Sequence, residues 1–255
     1  MNEPRQHTAF QSICLHLIPG VVVLGLIFLF SNPLFSKWLG VDEKLGPVTG
    51  YLLSILFGLL PVQLIILLIA GKLETGKFRI RGIISYTEKS ALKIYLLYVP
   101  GLIVYFLLLL AVVAPVIQPF MVDTFFSWWP QQYNFQLILQ DPSEVAGYSG
   151  IKALLAAYFL LSCILGPVVE EVYFRGYLLP RMKRFSGNWA PLLNAVFFSL
   201  YHFFSPWENP VRIAASFPLV YLVWKERNIR IGIWVHVLVN TIGAIIMSII
   251  ILKTG

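Results

Sequence analysis

Long apolar stretches without a charged side chain alternate with short charged segments along this chain. Seven such stretches cover residues 6–36, 45–71, 94–122, 153–169, 189–207, 213–224 and 231–252. The first three exceed the roughly 20 residues that a helix needs to cross a bilayer, whereas residues 213–224 could span only with their flanks or as a broken helix. The pattern therefore predicts an all-α, polytopic transmembrane bundle of about seven helices, within a range of about six to eight.

Composition strengthens the membrane interpretation. The 255 residues are 58% hydrophobic and only 12% charged, where soluble domains have about 25% charged residues. So few charges cannot cover a water-soluble globule of this size. The first apolar stretch is too long for a signal-peptide core and lacks a small-residue cleavage site, so we interpret it as a retained helix.

The distribution of basic residues favours one orientation. If the N-terminus is cytoplasmic and seven segments cross, the outer segments carry five of the 19 Lys and Arg residues, namely Lys37, Lys44, Lys152, Arg212 and Lys253. The remainder lie on the inner side, as the positive-inside rule expects. We predict a multi-pass protein of the cell membrane with its N-terminus inside and its C-terminus outside. The net charge of +7 then reflects inner loops, and the predicted partners include the lipid bilayer but no nucleic acid.

A pair of acidic residues lies at the end of the fourth stretch. Glu171 and Arg175 have i, i+4 spacing and can pair on one face of a helix, while Glu170 lies about 100° around the helix, free of that partner. One carboxylate is then neutralised and the other is left for chemistry, and a carboxylate in an apolar site suits a general base. The alternative is that these charges only mark the cytoplasmic end of the helix.

Two further polar clusters lie in apolar segments. His202 follows Phe198 at helical spacing, and His236 and Asn240 share one face of the last predicted helix. Ionisable residues inside a membrane usually face the protein interior and serve a function. Taken singly, each cluster has a structural alternative, because a core histidine or an asparagine often forms hydrogen bonds between membrane helices.

Together the clusters could support peptide hydrolysis. A carboxylate or a bound metal activates water, a histidine transfers the proton, and an asparagine stabilises the tetrahedral oxyanion. Two histidines and one carboxylate also form a known catalytic zinc set, so Glu170, His202 and His236 are candidate zinc ligands, although no cofactor is certain. The sequence lacks both H-E-x-x-H and G-x-S-x-G.

The order and spacing of these motifs resemble the CPBP intramembrane protease family, which includes the CAAX prenyl endopeptidases and bacterial proteins of the abortive-infection type. The resemblance covers roughly residues 166–243 and is carried most specifically by Glu-Glu-x-x-x-Arg-Gly-Tyr-Leu. Only 34 positions separate His202 from His236, which favours the bacterial branch. The N-terminal half shows no motif, and we predict a single membrane domain over residues 1–255 with its catalytic core at about 151–252.

The resemblance also implies roles for individual residues. Glu170 and His202 would activate water, with Glu171 able to share the role of base. His236 and Asn240 would stabilise the oxyanion, and Arg175 and Phe198 would support the site. The family is commonly catalogued as metalloproteases, but a metal-free glutamate mechanism has also been proposed for it, and both stay open. The implied substrate is a peptide or a membrane-associated protein.

The simple topology separates these residues in depth. His202 falls 13 residues into its predicted segment, about 20 Å deep at 1.5 Å per residue, while Glu170 and His236 lie toward the inner side. They can meet only if the fourth segment continues as helix past Glu170, or if the fifth is tilted or starts late.

The connection at residues 123–150 is rich in aromatic side chains, which indicates the outer membrane interface. These are Phe125, Phe126, Trp128, Trp129, Tyr133 and Phe135. Two other functions compete with a peptidase: a non-catalytic binding or immunity protein on the same fold, and a proton-coupled transporter. Absence of inverted-repeat symmetry in the hydropathy weakens the transporter hypothesis.

Overall fold

The computed structural model describes residues 4–130, 133, 147–148 and 150–254. Eight helices form this part of the chain: α1 (Ala9–Phe30), α2 (Pro33–Trp38), α3 (Glu43–Thr75), α4 (Ile94–Phe125), α5 (Ile151–Arg181), α6 (Ala190–Leu200), α7 (Asn209–Glu226) and α8 (Ile229–Thr254). An isolated bridge between Thr87 and Asn228 is the nearest approach to a strand in the described ranges. The predicted all-α bundle is confirmed.

Five helices are long and apolar enough to cross a bilayer, namely α1, α3, α4, α5 and α8. The protein is therefore a multi-pass membrane protein. The predicted crossing at residues 189–207 differs from the structure, because α6 has only 11 residues and ends at Leu200. At 1.5 Å per residue it covers about 16 Å, roughly half of a hydrocarbon core. His202 therefore lies in the turn after a short helix and not inside a long one.

Local sequence explains where the long helices begin and end. Thr8 caps α1 through a capping box, in which its hydroxyl accepts from the Gln11 N–H and the Gln11 side chain accepts from the Thr8 N–H. Gly76 ends α3 in the left-handed conformation, with φ of 76°, which glycine adopts without steric cost. These signals place the apolar stretches in helices of the observed lengths.

Helix α5 is irregular around the acidic pair. Two π-helical segments, Phe159–Leu165 and Glu171–Leu178, flank the short α-helical segment that contains Pro167. Proline has no N–H to donate to the preceding turn, and π-helical segments occur frequently at functional sites. The helix nevertheless continues to Arg181, which is the continuation past Glu170 that would bring the motifs to one depth.

The core is built around α5 and leaves α4 at the periphery. The largest buried cluster joins residues of α1, α3, α5 and α6 with the turn after α6. Helix α1 approaches this turn so closely that a Cβ built at Gly20 would lie 1.8 Å from the Tyr201 carbonyl oxygen. By contrast, only 6% of the apolar window of α4 is buried inside the protein, against 44% for α3. Most of α4 is therefore available to face lipid.

The aromatic segment after α4 packs on the turn before α7. Phe126 and Trp129 contact Trp207, with ring centroids 6.4 and 5.8 Å apart, and Tyr133 contacts Phe28 at 4.8 Å. Phe135 lies outside the described residues. The placement of this segment at the membrane interface stays a prediction.

Candidate active site

The acidic pair on α5 is buried inside the bundle. Glu170 is 6% exposed and Glu171 is fully buried. The Arg175 Nη1 atom lies 3.4 Å from Glu171 Oε1, so the structure contains the i, i+4 pair that the sequence predicts. Arg175 is itself 1% exposed, and it is an internal partner of the site.

His236 of α8 lies between the two carboxylates. Its Nδ1 atom is 3.0 Å from Glu171 Oε1, and its Nε2 atom is 3.7 Å from Glu170 Oε2. Because a carboxylate accepts hydrogen bonds, we assign the proton to Nδ1. In the neutral ring Nε2 then carries a lone pair directed toward Glu170.

The Phe198 ring joins the three motifs. The Arg175 guanidinium lies 3.9 Å from its centroid, a distance at which a cation is attracted to the ring face. The ring centroids of His202 and His236 lie 5.1 and 6.0 Å from that of Phe198, both in edge-to-face geometry. Side chains from α5, α6 and α8 are thus brought to one place by a single aromatic residue.

His202 is held by the helix that precedes it. Its Nδ1 atom lies 2.8 Å from the Phe198 carbonyl oxygen, which can only accept, so Nδ1 carries the proton and Nε2 is free to accept. The preceding residue, Tyr201, donates its hydroxyl to Glu170 Oε1, and its ring centroid is 4.0 Å from that of His202. Sequence reasoning assigned no role to Tyr201, although a buried hydroxyl beside a histidine in an apolar segment was the available signal.

Asn240 connects α8 to α5. Its Nδ2 donates to the Ser162 carbonyl oxygen at 3.0 Å, and the Cys163 thiol donates to the Asn240 carbonyl at 3.5 Å. Ser162 and Cys163 belong to the first π-helical segment of α5. An amide nitrogen carries two N–H groups, and this contact uses one of them.

A cavity of about 430 Å³ lies beside these groups, within the usual range for ligand sites. Six of the residues predicted from the motifs line it: Glu171, Arg175, Phe198, His202, His236 and Asn240. Glu170 is not among the lining residues, but its Oε2 atom lies 3.7 Å from Nε2 of His236, which does line the cavity. The opposite wall is mostly apolar and comes from α4, α7 and α8.

Two residues that sequence reasoning did not place at the site also shape it. Gly232 of α8 faces Glu171, since a Cβ built there would lie 2.3 Å from Glu171 Oε2. Arg212, which we assigned to an outer loop, lies in the first turn of α7 and lines the cavity. Neither could be found from spacing, because each depends on how two helices approach each other.

The charge distribution used for orientation is corrected accordingly. Arg175 and Arg181 are each 1% exposed and belong to the interior of α5, and Arg212 belongs to the cavity wall. None of the three is a loop charge. When Arg175 and Arg181 are left out of the inner count and Arg212 is left out of the outer count, the predicted inner side still carries more basic residues than the outer side.

The candidate zinc ligands do not form a metal site as arranged. Among the described residues, no three His, Cys, Asp or Glu side chains are grouped so that they could hold a metal ion. The hydrogen bonds of the two Nδ1 atoms of His202 and His236 would be compatible with metal binding through Nε2, so the spacing of the three side chains, and not these contacts, decides against a metal site. We therefore derive no step through a metal.

Residues 152–242 match the family model described as type II CAAX prenyl endopeptidase Rce1-like. This part of the chain is CAAX protease-like. The match runs from the first turn of α5 into α8 and contains all three motifs, so the family predicted from them is confirmed. No curated protein and no solved structure matches the chain. The match covers 91 of the 255 residues, so it shows what this region is similar to, and the branch of the family stays a prediction.

Proposed function

We propose that the protein is an intramembrane endopeptidase that hydrolyses a peptide bond of a peptide or membrane-associated protein. One observation carries the proposal: the His236 imidazole lies between two buried carboxylates, at 3.0 and 3.7 Å, beside a cavity that His202 and Asn240 also line. Ionisable side chains inside a membrane protein are energetically costly, so those that are present usually serve a function.

The two carboxylates take different roles in this proposal. Glu171 accepts from His236 and pairs with Arg175, so its charge is compensated and it orients both neighbours. No arginine among the described residues lies at hydrogen-bond distance from Glu170, which is the proposed general base. The Tyr201 hydroxyl holds one of its oxygens, which leaves Oε2 to receive a proton from water.

His202 helps to orient the attacking water. Its Nε2 atom accepts a hydrogen bond because Nδ1–H is committed to Phe198. Tyr201 contacts both His202 and Glu170, so it fixes the base and the histidine relative to each other. The water oxygen attacks the substrate carbonyl carbon as its proton passes to Glu170.

His236 and Asn240 then act on the tetrahedral intermediate. When Glu170 Oε2 and His236 Nε2, 3.7 Å apart here, approach to hydrogen-bond distance, the proton passes to His236, and the resulting imidazolium donates to the leaving amine as the C–N bond breaks. The second N–H of Asn240 is free to donate to the oxyanion, a contact that typically contributes about 3 kcal/mol to catalysis. The apolar wall opposite these groups suits an apolar segment of the substrate.

The Glu170→Gln variant tests the assignment of the base. We expect cleavage to be abolished, because an amide cannot accept the proton, while membrane insertion and thermal unfolding stay as in the wild type. Turnover is measured by mass spectrometry on a mixed peptide library in detergent micelles, with farnesylated and unmodified C-terminal peptides as separate arms. Glu88→Gln is the matched control, since Glu88 is an exposed carboxylate paired only loosely with Arg227 at 3.6 Å.

Undiminished cleavage by Glu170→Gln would refute the proposed base. A wild-type protein that cleaves none of the peptides, with a His202→Ala variant that keeps its biological effect, would favour a non-catalytic binding protein. Cleavage that resists chelators in metal-free protein is expected, and loss of cleavage on chelation would return zinc to the mechanism.

We also propose the orientation given by the positive-inside rule, with a single membrane domain in the cell membrane. Single-cysteine labelling from either side of sealed vesicles tests it. The α3–α4 connection should react from the cytoplasmic side and the turn at Gly40 from the outer side.

A further inference from the structure

The turn that carries His202 is held from one side by a single arginine. His202 lies between the end of α6 at Leu200 and the 3₁₀ turn Pro206–Glu208. Its backbone N–H donates to the Ser199 carbonyl at 3.2 Å, and its carbonyl accepts from the Ser205 N–H at 3.0 Å. Ser199 and Ser205 are thus the two anchor points of the His202 backbone.

Arg212 binds both anchor points. Its Nη1 atom lies 3.4 Å from the Ser199 carbonyl oxygen, and its Nη2 atom donates to Ser205 Oγ at 2.8 Å. Nη1 also donates to Asn209 Oδ1 at 3.1 Å, and the Ser199 hydroxyl donates to the same oxygen at 3.1 Å. The planar guanidinium therefore spans the start and the end of the turn, which a single ammonium group cannot do.

The position of this arginine in α7 is electrostatically unusual. A cation in the first turn of a helix opposes the helix dipole, so it needs compensation. Glu208, four residues earlier, supplies a carboxylate to Nη2, and the Arg212 side chain is only 15% exposed. Its charge is compensated inside the protein, which makes Arg212 better suited to holding the turn than to capturing an anionic substrate.

We propose that Arg212 is a positioning residue that fixes His202 for the peptidase reaction. By holding Ser199 and Ser205 it keeps the His202 ring in the geometry where Nδ1–H bonds to Phe198 and Nε2 is free. The kinetic part of this inference rests on the proposed function, whereas the structural part concerns the tautomer of His202 and does not. Misplacement of a reacting group by about 1 Å can cost about 100-fold in rate.

Arg212→Met is the first test, measured in the full-length protein labelled with ¹⁵N-histidine in detergent micelles. The chain has four histidines, so a His202→Gln variant assigns the signal of interest. In the wild type, His202 should give the signature of a proton fixed on Nδ1. In Arg212→Met we expect a mixture of tautomers, with kcat lower by about 100-fold and KM changed by less than about threefold.

Two further variants keep the test informative if Arg212→Met does not fold. Arg212→Lys retains the charge but not the two-pronged donor, and Ser205→Ala removes one anchor while leaving Arg212 in place. Both should shift the His202 signal in the same direction with smaller losses of kcat, about 10-fold. Arg230→Met, at an exposed arginine on the first turn of α8, is the matched control and should change neither readout.

Three outcomes would overturn the inference. An unchanged His202 signal with unchanged kcat would show that the turn does not need Arg212. A lower kcat with an unchanged His202 signal would mean that Arg212 acts on the substrate itself. A wild-type His202 without a fixed Nδ1 proton would remove the geometry being held. A wild type that cleaves nothing would refute the proposed function alone, because the ¹⁵N signal still decides whether Arg212 fixes His202.

Discussion

The C-terminal part of α5 buries two arginines, Arg175 and Arg181, whose hydrogen-bonding groups are satisfied to different degrees. Arg175 and Arg181 are both 1% exposed, and each guanidinium lies over an aromatic ring, at 3.9 Å from Phe198 and 4.1 Å from Tyr177. Each is also paired with a glutamate. The sequence placed both among the inner basic residues, but it predicted a partner, Glu171, only for Arg175.

The difference lies in their hydrogen bonds. Arg181 donates from Nε and Nη2 to the two oxygens of Glu74, at 3.3 and 2.8 Å, and from Nη1 to the Tyr177 carbonyl at 2.9 Å. Arg175 has no hydrogen-bond partner for Nε or Nη1 among the described residues. Unsatisfied buried polar groups are rare in folded proteins and need an explanation. We infer that Arg181 serves mainly stability, whereas Arg175, which lines the cavity, serves mainly the candidate active site.

Replacement of Arg181 should have the largest of the expected effects, and it should act on the free energy of unfolding. Arg181→Met leaves Glu74 without its bidentate partner, and the loss of one member of a buried ion pair costs about 3 kcal/mol in unfolding free energy. Thermal unfolding in detergent, followed by tryptophan fluorescence, measures this loss. The turnover of the remaining folded protein should stay close to that of the wild type.

Arg227→Met is the control for that experiment. Arg227 and Glu88 form an ion pair whose side chains are 65% and 52% exposed, and such pairs contribute less than about 1 kcal/mol. Equal destabilisation by Arg181→Met and Arg227→Met would contradict the comparison.

Arg175→Lys should lower catalytic activity more than it lowers the free energy of unfolding. A lysine keeps the charge near Glu171 but loses the planar contact with Phe198, on which the positions of His202 and His236 depend. We expect kcat/KM to fall by about 100-fold, equivalent to about 2.7 kcal/mol, with a smaller change in unfolding free energy. If this variant loses stability as Arg181→Met does but keeps its turnover, the two arginines do not differ in role.

The smallest expected effect concerns the N-terminal segment around His7, which packs against the C-terminal end of α5 at Arg181. The His7 N–H donates to the Arg181 carbonyl at 2.9 Å, and its ring contacts Tyr177 at 5.6 Å. Burial, followed by the charge of Arg181, lowers the pKa of His7 from 6.5 to about 4. Because the unfolded chain binds this proton more tightly, the contribution of His7 is complete above about 6.5 and is lost as the pH falls toward about 4.

We expect this segment to loosen by about 1 kcal/mol when the pH is lowered from about 7 to about 5. Hydrogen exchange at the amides of His7 and its neighbours measures the opening. In a His7→Phe variant the pH dependence should disappear. A wild-type exchange profile that is flat across this range would show that His7 is not the titrating group.

The sequence by itself determined the bundle, its approximate helix positions and the family of the motif region. Uncharged stretches of bilayer length and the paired glutamates are local patterns, and a chain in lipid must satisfy its backbone internally, which leaves helices as the solution for such stretches. The spacing of Glu171 and Arg175 predicted their pairing for the same reason. These features need only distances along one helix.

Only the tertiary structure decided which of the charges are interior and what surrounds them. The early end of α6 places His202 in a turn, and the absence of a side chain at Gly232 lets α8 lie close to Glu171. The Tyr201 hydroxyl reaches Glu170 from another segment, and Arg212 turns inward from the start of α7. Each contact joins residues distant in the chain, so it depends on packing between helices, which spacing along the sequence does not specify.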